Sequence, residues 1–160
     1  MIQFKHIVLA TDFSDNSEAA TPYAMALAKA FGATIYLLNA WEDVPYIRAD
    51  EMGIGTGTIV DPTVWEGVRK QAKLRLEETA QALSKQNAVP VVPVFREGKA
   101  VHVIQAYIDE AKPDCIVIAT HGRTGLSHLL MGSVAEKIVR HSSCPVFTVR
   151  SSAVVEPSHK

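Results

Sequence analysis

The segment DCIVIATHGRTGLSHLLMGSVAEKIVR, residues 114–140, contains the succession of elements that decides the fold. Its apolar run Cys115 to Ala119 predicts a buried strand, which a turn at Thr120-His121-Gly122 follows. The chain then enters a helix at Gly132-Ser133, and the pattern Ser133 to Glu136 predicts a capping box with Ser133 as the helix cap. A strand, a glycine loop and a helix N-terminus in this order offer unpaired N–H groups and a favourable dipole to an anion. The segment therefore predicts a phosphate site.

The composition is that of a globular protein with one core. The chain has 160 residues, of which 48% are hydrophobic and 21% are charged, and this length fits a single domain. Its net charge of −1 disfavours a general electrostatic hold on nucleic acid or anionic lipid. The apolar run Ile7 to Ala10 is too short for a signal peptide or a spanning helix, so we expect a cytoplasmic protein. Cys115 and Cys144 share no CxxC spacing and are expected to be reduced core thiols.

Strands and helices alternate along the chain. Besides Cys115–Ala119, apolar β-rich runs predict strands at Lys5–Thr11, Ala33–Trp41, Val89–Phe95 and Pro145–Arg150. Two prolines in the third of these runs favour a sheet edge. Helical spacing predicts four helices. The first starts in the cluster Asp12–Glu18 and ends at Gly32, the next two run over Thr63–Gln86 and Ala100–Ala111, and the last starts at Ser133. The helix Thr63–Gln86 is expected to bury one apolar face, made of Val64, Val68, Ala72, Leu76, Ala80 and Leu83.

Five strands separated by helices predict an α/β domain with a parallel sheet and helices on both faces. We place this domain at residues 1–150 and a polar C-terminal tail at residues 151–160. In such sheets ligands bind at the carboxyl ends of the strands, near the point where the winding reverses. The loops that start at Thr11-Asp12, at Ala40-Trp41 and at Thr120 all lie at that end, and they are the candidate walls of a site.

Three stretches resemble the universal stress protein family. They are ATDFS (Ala10–Ser14), LLNAW (Leu37–Trp41) and ATHGRTGLSHLLMGSVAEKIVRHSSCPVFTVR (Ala119–Arg150), and the likeness extends over Lys5–Arg150. The resemblance implies a Rossmann-like fold with strand order 3-2-1-4-5 and a homodimer. For one branch of the family it also implies bound ATP.

That ATP-binding branch carries Gly-x-x-Gly, nine residues and then Gly-Ser or Gly-Thr. Gly122, Gly132 and Ser133 match this pattern, and Ala119 stands at its first glycine. With β-region backbone angles the added methyl group would only crowd the ribose, whereas a positive φ would add about 1–2 kcal/mol of strain. A residue at the end of a strand is expected to have β-region angles, so the substitution is compatible with the ATP-binding branch.

The resemblance assigns a role to each matching position. Asp12 would accept a hydrogen bond from a ribose hydroxyl, the backbone of Ala40 would bind the adenine edge, and Ala10 and Ile118 would supply apolar walls. The phosphate loop would consist of His121, Gly122 and Arg123, and it would be closed by Gly132, Ser133 and Val134. A divalent ion, Mg²⁺ or Mn²⁺, would be held mainly by the phosphates of ATP, ADP or AMP.

Several of these residues have a simpler interpretation. Asp12 could cap the first helix, alone or in addition to binding ribose. His121 could form a structural hydrogen bond within its loop instead of contacting a phosphate, and Arg123 could be solvated, although the neighbouring glycines favour phosphate contact. The glycines at 53, 55 and 57 follow no predicted strand and therefore do not indicate a dinucleotide site. Trp41 and Trp65 are expected to cover the core or the rim of the pocket.

The sequence leaves three functions open. It contains no GxxxxGK[ST], GxSxG or HExxH motif, and no base neighbours Ser133, so any ATP turnover should be slow. The leading hypothesis is an ATP-binding regulatory or stress-response protein whose nucleotide state alters its dimer or partner surface. The alternatives are a slow ATPase or nucleotidyl-transferring enzyme, and a nucleotide-free interaction protein. The homodimer would pair two copies of the last strand, Pro145–Arg150, with Val146 and Phe147 near the contact.

Overall fold

The computed structural model describes residues 1–42, 62–121 and 131–150. Residues 43–61, 122–130 and 151–160 lie outside the described residues. They include the glycines at 53, 55 and 57 and the predicted C-terminal tail. The elements in chain order are β1 (His6–Ala10), α1 (Asp15–Glu18), α2 (Thr21–Phe31), β2 (Thr34–Trp41), α3 (Pro62–Asn87), β3 (Val91–Glu97), α4 (Ala100–Ala111), β4 (Cys115–Ala119), α5 (Ser133–His141) and β5 (Val146–Val149).

All five strands of the sheet are parallel, in the order β3-β2-β1-β4-β5. This confirms the expected α/β fold and its strand order. It also confirms the edge position of β3, whose Pro93 lies opposite Leu37 of β2. Successive side chains of the central strand β1 enter two separate cores: Ile7 and Leu9 pack on the side of α2 and α3, and Val8 and Ala10 pack on the side of α4 and α5.

The predicted first helix is in fact two helices. Ser14 caps α1 because its side chain accepts a hydrogen bond from the backbone N–H of Ser17. Helix α2 begins at Thr21, which places Pro22 in the first turn, where its missing N–H costs little. Gly32 ends α2 with a φ of 64°, as the sequence predicts.

Helix α3 is buried along only part of its predicted apolar face. Leu76 and Ala80 are 1% exposed, whereas Val64 and Val68 are 56% and 44% exposed. Arg69 of α3 forms an ion pair of 2.6 Å with Glu97, the last residue of β3. The helical residues before Arg69 therefore extend beyond the end of that strand, and the prediction of one continuous buried face is wrong for this half.

The aromatic side chains of β2 and β3 pack beneath the start of α3. The ring of Trp41 lies 5.6 Å from that of Trp65 and 6.4 Å from that of Phe95, between ring centroids. Neither tryptophan lines the cavity described below. Phe95 packs against the core on the α2 and α3 side, so Trp41 reaches the margin of that core through Phe95.

Both cysteines are free thiols, but only one belongs to the deep core. Cys115 is fully buried, and burial raises the pKa of its thiol to about 12. Cys144 is partly exposed and packs at the margin of the α4 and α5 core. Within the described ranges, no helix is both long and apolar enough to span a bilayer.

Two titratable residues, His6 and Asp114, lie at the amino ends of β1 and β4, the end of the sheet opposite the predicted site. Asp114 Oδ2 accepts hydrogen bonds from the backbone N–H groups of Lys5 and His6 at 2.7 and 2.8 Å, and these bonds lower the pKa of its carboxyl. The His6 ring lies 3.8 Å from the Tyr36 ring, and burial lowers the pKa of His6 although the Asp114 charge opposes this. The folded protein therefore favours a neutral His6.

We expect acidification to destabilise the protein through His6. Because the folded pKa of His6 lies below its ordinary value of 6.5, the unfolded chain takes up this proton first, and the free energy of unfolding falls as the pH drops below that value. His6→Phe should keep the ring contact with Tyr36 and reduce this slope in urea denaturation at a series of pH values. The exposed His102→Gln should retain the wild-type slope. An unchanged slope in His6→Phe would exclude His6 as its source.

Candidate functional site

A cavity of about 280 Å³ opens at the carboxyl ends of β1, β2 and β4. Nine of the predicted site residues line it: Ala10, Asp12, Ala40, Ile118, Ala119, His121, Gly132, Ser133 and Val134. The other two predicted residues, Gly122 and Arg123, lie outside the described residues. Residues from the ends of three strands, from the loops after β1 and β4 and from α5 thus surround one volume at the carboxyl ends of the strands, where ligands bind in such sheets.

The start of α5 lies against the end of β4. The Gly132 N–H donates to the carbonyl oxygen of Thr120 at 2.6 Å. A Cβ atom at position 132 would lie 2.8 Å from the same oxygen, which is closer than a Cβ atom packs against an oxygen. Only glycine fits here, and the requirement is close packing rather than an unusual φ, which is −60°.

This contact corrects the predicted capping box. Gly132 is the N-cap residue of α5, no side chain caps the helix, and Ser133 is its first residue. The Glu136 carboxylate pairs with Arg140 at 3.0 Å and does not fold back onto the cap. Because the cap position has no room for a side chain, the first turn of α5 faces the cavity with its N–H groups uncovered by a capping hydroxyl. The dipole of α5 favours an anion at this end of the helix whichever residue is the cap.

Thr120 connects the cavity to the last strand. It is 7% exposed, and its N–H donates to the Val149 carbonyl of β5 at 2.8 Å. Its hydroxyl lies 2.9 Å from Nδ1 of His121, so the structural hydrogen bond considered for this histidine exists. A phosphate contact of His121 stays a prediction.

A tight turn after β1 orients Asp12. Asp12 Oδ1 accepts hydrogen bonds from the N–H and the hydroxyl of Ser14, at 3.0 and 2.5 Å. Ser14, not Asp12, is the cap of α1. Asp12 holds Ser14 in place through these two hydrogen bonds. Asp12 lines the cavity, and its bonds to Ser14 fix the orientation of its carboxylate.

Phe13, within the same turn, has a left-handed backbone. Its φ of 61° costs about 1–2 kcal/mol for a residue with a side chain. The neighbours compensate for this: the Phe13 N–H donates to Thr11 Oγ1 at 3.1 Å, and the Arg75 guanidinium lies 4.4 Å from the centre of the Phe13 ring. Strain of this kind persists where surrounding contacts dictate the conformation, which is common at binding sites.

Ala119, which stands at the first glycine of the motif, has the extended strand conformation expected for it. It lies in β4 and is absent from the described non-glycine residues with positive φ, which are Phe13, Ala88 and Lys112. It is 7% exposed, belongs to the core on the α2 side and also borders the cavity. Its methyl group therefore occupies space without straining the backbone.

Seven other residues also line the cavity. Thr11 and Thr120 begin two of the loops that were expected to form its walls, and the residues that were not predicted are Ser17, Leu38, Ala100, Ile104 and Ala135. Ala100 and Ile104 stand four residues apart and form one face of α4, so helical spacing together with the strand order would have revealed them. Nothing local in the sequence identifies Ser17, which is 5% exposed and whose hydroxyl donates to the Ser14 carbonyl at 2.9 Å.

The chemistry of the wall changes from one side of the cavity to the other. Aliphatic side chains such as Ala10, Ile104 and Ile118 can enclose a flat apolar ring. Asp12 offers a carboxylate acceptor, and the start of α5 offers N–H donors. Within residues 1–42, 62–121 and 131–150, no three His, Cys, Asp or Glu side chains group as metal ligands would.

Solved structures share this architecture. The universal stress protein UspA from Lactobacillus plantarum superposes with a TM-score of 0.75 at 21% identity, over 94% of this chain and 100% of its own. A universal stress protein family protein from Arabidopsis thaliana, solved with AMP bound, has a TM-score of 0.63 at 21% identity, over 96% of both chains. These likenesses concern the fold.

Sequence comparison establishes the family. A universal stress protein of Thermus aquaticus is 34% identical over 152 residues, which cover 92% of this chain and 99% of that protein. The model of the universal stress protein family matches residues 3–150. The chain therefore belongs to the universal stress protein family.

Proposed function

We propose that the chain binds an adenine nucleotide, ATP, ADP or AMP, in the cavity at the carboxyl ends of β1, β2 and β4, and acts as a regulatory stress-response protein. The observation that carries this proposal is that the Asp12 carboxylate and the start of α5 face one cavity with aliphatic walls. These three features match the three parts of a nucleotide: the ribose hydroxyls, the phosphates and the flat base. The AMP held by the Arabidopsis protein with the same fold supports the choice of an adenine nucleotide.

Each part of the nucleotide has a matching group. The base would lie between Ala10 and Ile118, with its edge on the backbone of Ala40. A ribose hydroxyl would donate to Asp12. The phosphates would meet the N–H groups and the hydroxyl at the start of α5, from Gly132, Ser133 and Val134, together with the loop residues His121, Gly122 and Arg123. A divalent ion, Mg²⁺ or Mn²⁺, would be held by the phosphates themselves.

Incubation of the purified protein with radiolabelled ATP tests the proposal. Retention of intact ATP after desalting supports a nucleotide-binding regulator. Several turnovers per minute would favour an enzyme instead, and no retention at millimolar ATP would favour a nucleotide-free interaction protein. Mass spectrometry of the ligand released from freshly purified protein would identify which adenine nucleotide is carried.

Asp12→Ala should weaken ATP binding by about 1–3 kcal/mol, because a carboxylate that accepts from a hydroxyl makes a charge-assisted hydrogen bond. Isothermal titration calorimetry measures this change directly. Asp15→Ala is the matched control: Asp15 carries the same charge in α1 and does not line the cavity. Equal affinities of the two variants would place the nucleotide elsewhere.

Ala119→Gly tests whether the motif has been aligned correctly. Because the Ala119 backbone is unstrained, the variant gains no relief of strain but frees the volume of one methyl group beside the ribose. We expect ATP affinity to rise or to stay unchanged, measured by the same titration. A marked loss of affinity in a folded variant would show that Ala119 does not stand at the first glycine of the motif.

We propose further that the protein is a homodimer through β5. This strand is an edge of the sheet, and its Phe147 is 39% exposed. The rings of Phe147 and Phe31 flank that of Phe4, at centroid distances of 6.1 and 4.8 Å, and Phe31 is 41% exposed. An exposed aromatic cluster beside a strand at the edge of the described sheet fits a second copy of the same surface.

The same strand offers a route by which bound nucleotide would alter the dimer. The Thr120 N–H at the cavity bonds to Val149 of β5, and the Thr120 carbonyl bonds to Gly132 at the start of α5. A phosphate that moves the start of α5 would act on Thr120 and, through Val149, on the dimer edge. The nucleotide state would in this way modulate the surface of the protein.

Phe147→Lys should convert the dimer into a monomer, because it introduces a charge at the centre of an apolar interface. Multi-angle light scattering at micromolar concentration reads the mass. Val92→Lys on β3, the opposite edge strand, is the control, since Val92 is exposed to a similar extent, 41%. A monomeric wild type, or dissociation by Val92→Lys alone, would contradict the β5 interface.

A further inference from the structure

We infer that Asn39 is a positioning residue for Asp12, and that it thereby gives the site its preference for a nucleotide with an intact ribose. The inference rests on the proposed function. Asn39 does not line the cavity, and so it would act on the nucleotide only through its neighbours. Its position in the fold explains how.

Asn39 takes over a hydrogen bond at the point where β1 leaves the sheet. The backbone ladder between β1 and β2 ends with Ala10 opposite Leu38, and the Thr11 N–H still donates to the Leu38 carbonyl at 2.9 Å. Beyond this the chain turns away, and the Asn39 Nδ2 group donates to the Thr11 carbonyl at 2.9 Å. The side-chain amide therefore satisfies the next acceptor along β1 and extends the sheet contact by one residue.

The bonded carbonyl belongs to the peptide group that joins Thr11 to Asp12. Its orientation fixes the direction in which the Asp12 backbone leaves the strand. From there the hydrogen bonds of Ser14 to Asp12 Oδ1 fix the carboxylate itself. Asn39 and Ser14 thus hold the two ends of Asp12, one through its backbone and one through its side chain.

The environment of Asn39 makes this contact strong and specific. Asn39 is 4% exposed and follows the buried Leu37 and Leu38 in β2. A buried amide must be hydrogen-bonded, and the partner of the Asn39 amide is the Thr11 carbonyl, which belongs to a partly buried residue. Loss of the amide would therefore release the Thr11 carbonyl and, with it, the strained turn at Phe13.

A purely structural role predicts a different outcome from a positioning role. A general loss of stability would weaken binding of every nucleotide by the same factor. A displaced Asp12 would weaken only those nucleotides that carry the hydroxyl it accepts from. Comparison of ATP with 2′-deoxy-ATP and 3′-deoxy-ATP separates the two.

The experiment measures the affinities of these three nucleotides for the wild type and for Asn39→Leu. The wild type should bind ATP about tenfold more tightly than the analogue that lacks the bound hydroxyl. In Asn39→Leu that ratio should fall to within about twofold, with the affinity for the analogue itself nearly unchanged. Asn87→Leu is the matched control: it removes an amide that donates to the Leu83 carbonyl at 3.0 Å in α3, and it should keep the wild-type ratio.

A double-mutant cycle with Asp12→Asn completes the test. If Asn39 acts through the carboxylate, adding Asn39→Leu to Asp12→Asn should change ATP affinity by less than about twofold. Should Asn39→Leu fail to fold, as thermal melting would show, Asn39→Ser is judged by the same criteria, because a serine is too short to reach the Thr11 carbonyl.

Equal weakening of all three nucleotides, or an unchanged ratio in folded Asn39→Leu, overturns the inference and leaves the proposed function intact. A wild type that binds none of the three at millimolar concentration overturns the proposed function, and the inference with it.

Discussion

The contact between Gly132 and the Thr120 carbonyl is the constraint on which the site depends. It brings the start of α5 within 2.6 Å of the end of β4, so that a helix dipole and a strand end share one cavity. Any side chain at position 132 would separate them, because its Cβ would overlap the Thr120 oxygen. The same constraint decides the local chemistry, since a glycine cap leaves the first turn of α5 available to an external acceptor.

Sequence patterns were sufficient for the fold and for most of the cavity wall. Strands such as β4 and helices such as α4 are predicted to the residue, because alternation of apolar runs with helical spacing is a local signal. The errors arise where a distant part of the chain decides. Ser133 is a residue type that commonly caps helices, but the contact of Gly132 with the Thr120 carbonyl, twelve residues before Gly132, makes Gly132 the cap. Val64 and Val68 continue an apolar stripe, yet β3 ends before it reaches them.

Asn39 illustrates a different limit. Within LLNAW it is a polar residue in an apolar strand, and its partner is a backbone carbonyl 28 positions earlier. No residue type marks that carbonyl, so only the register between β1 and β2 reveals the bond. The strained Phe13 is similarly invisible, because its left-handed backbone follows from the hydrogen bonds of Thr11 and Ser14 and not from its own preference.

The thiol of Cys115 has a consequence for chemistry at the centre of the sheet. Thiolates, not thiols, react with peroxides and disulfides, and a pKa of about 12 leaves almost no thiolate at neutral pH. Oxidants that modify exposed sulfur would therefore spare Cys115, and with it β4, the strand that leads into Thr120. Burial and the raised pKa thus disfavour oxidation of the Cys115 thiol at neutral pH and protect this position of β4.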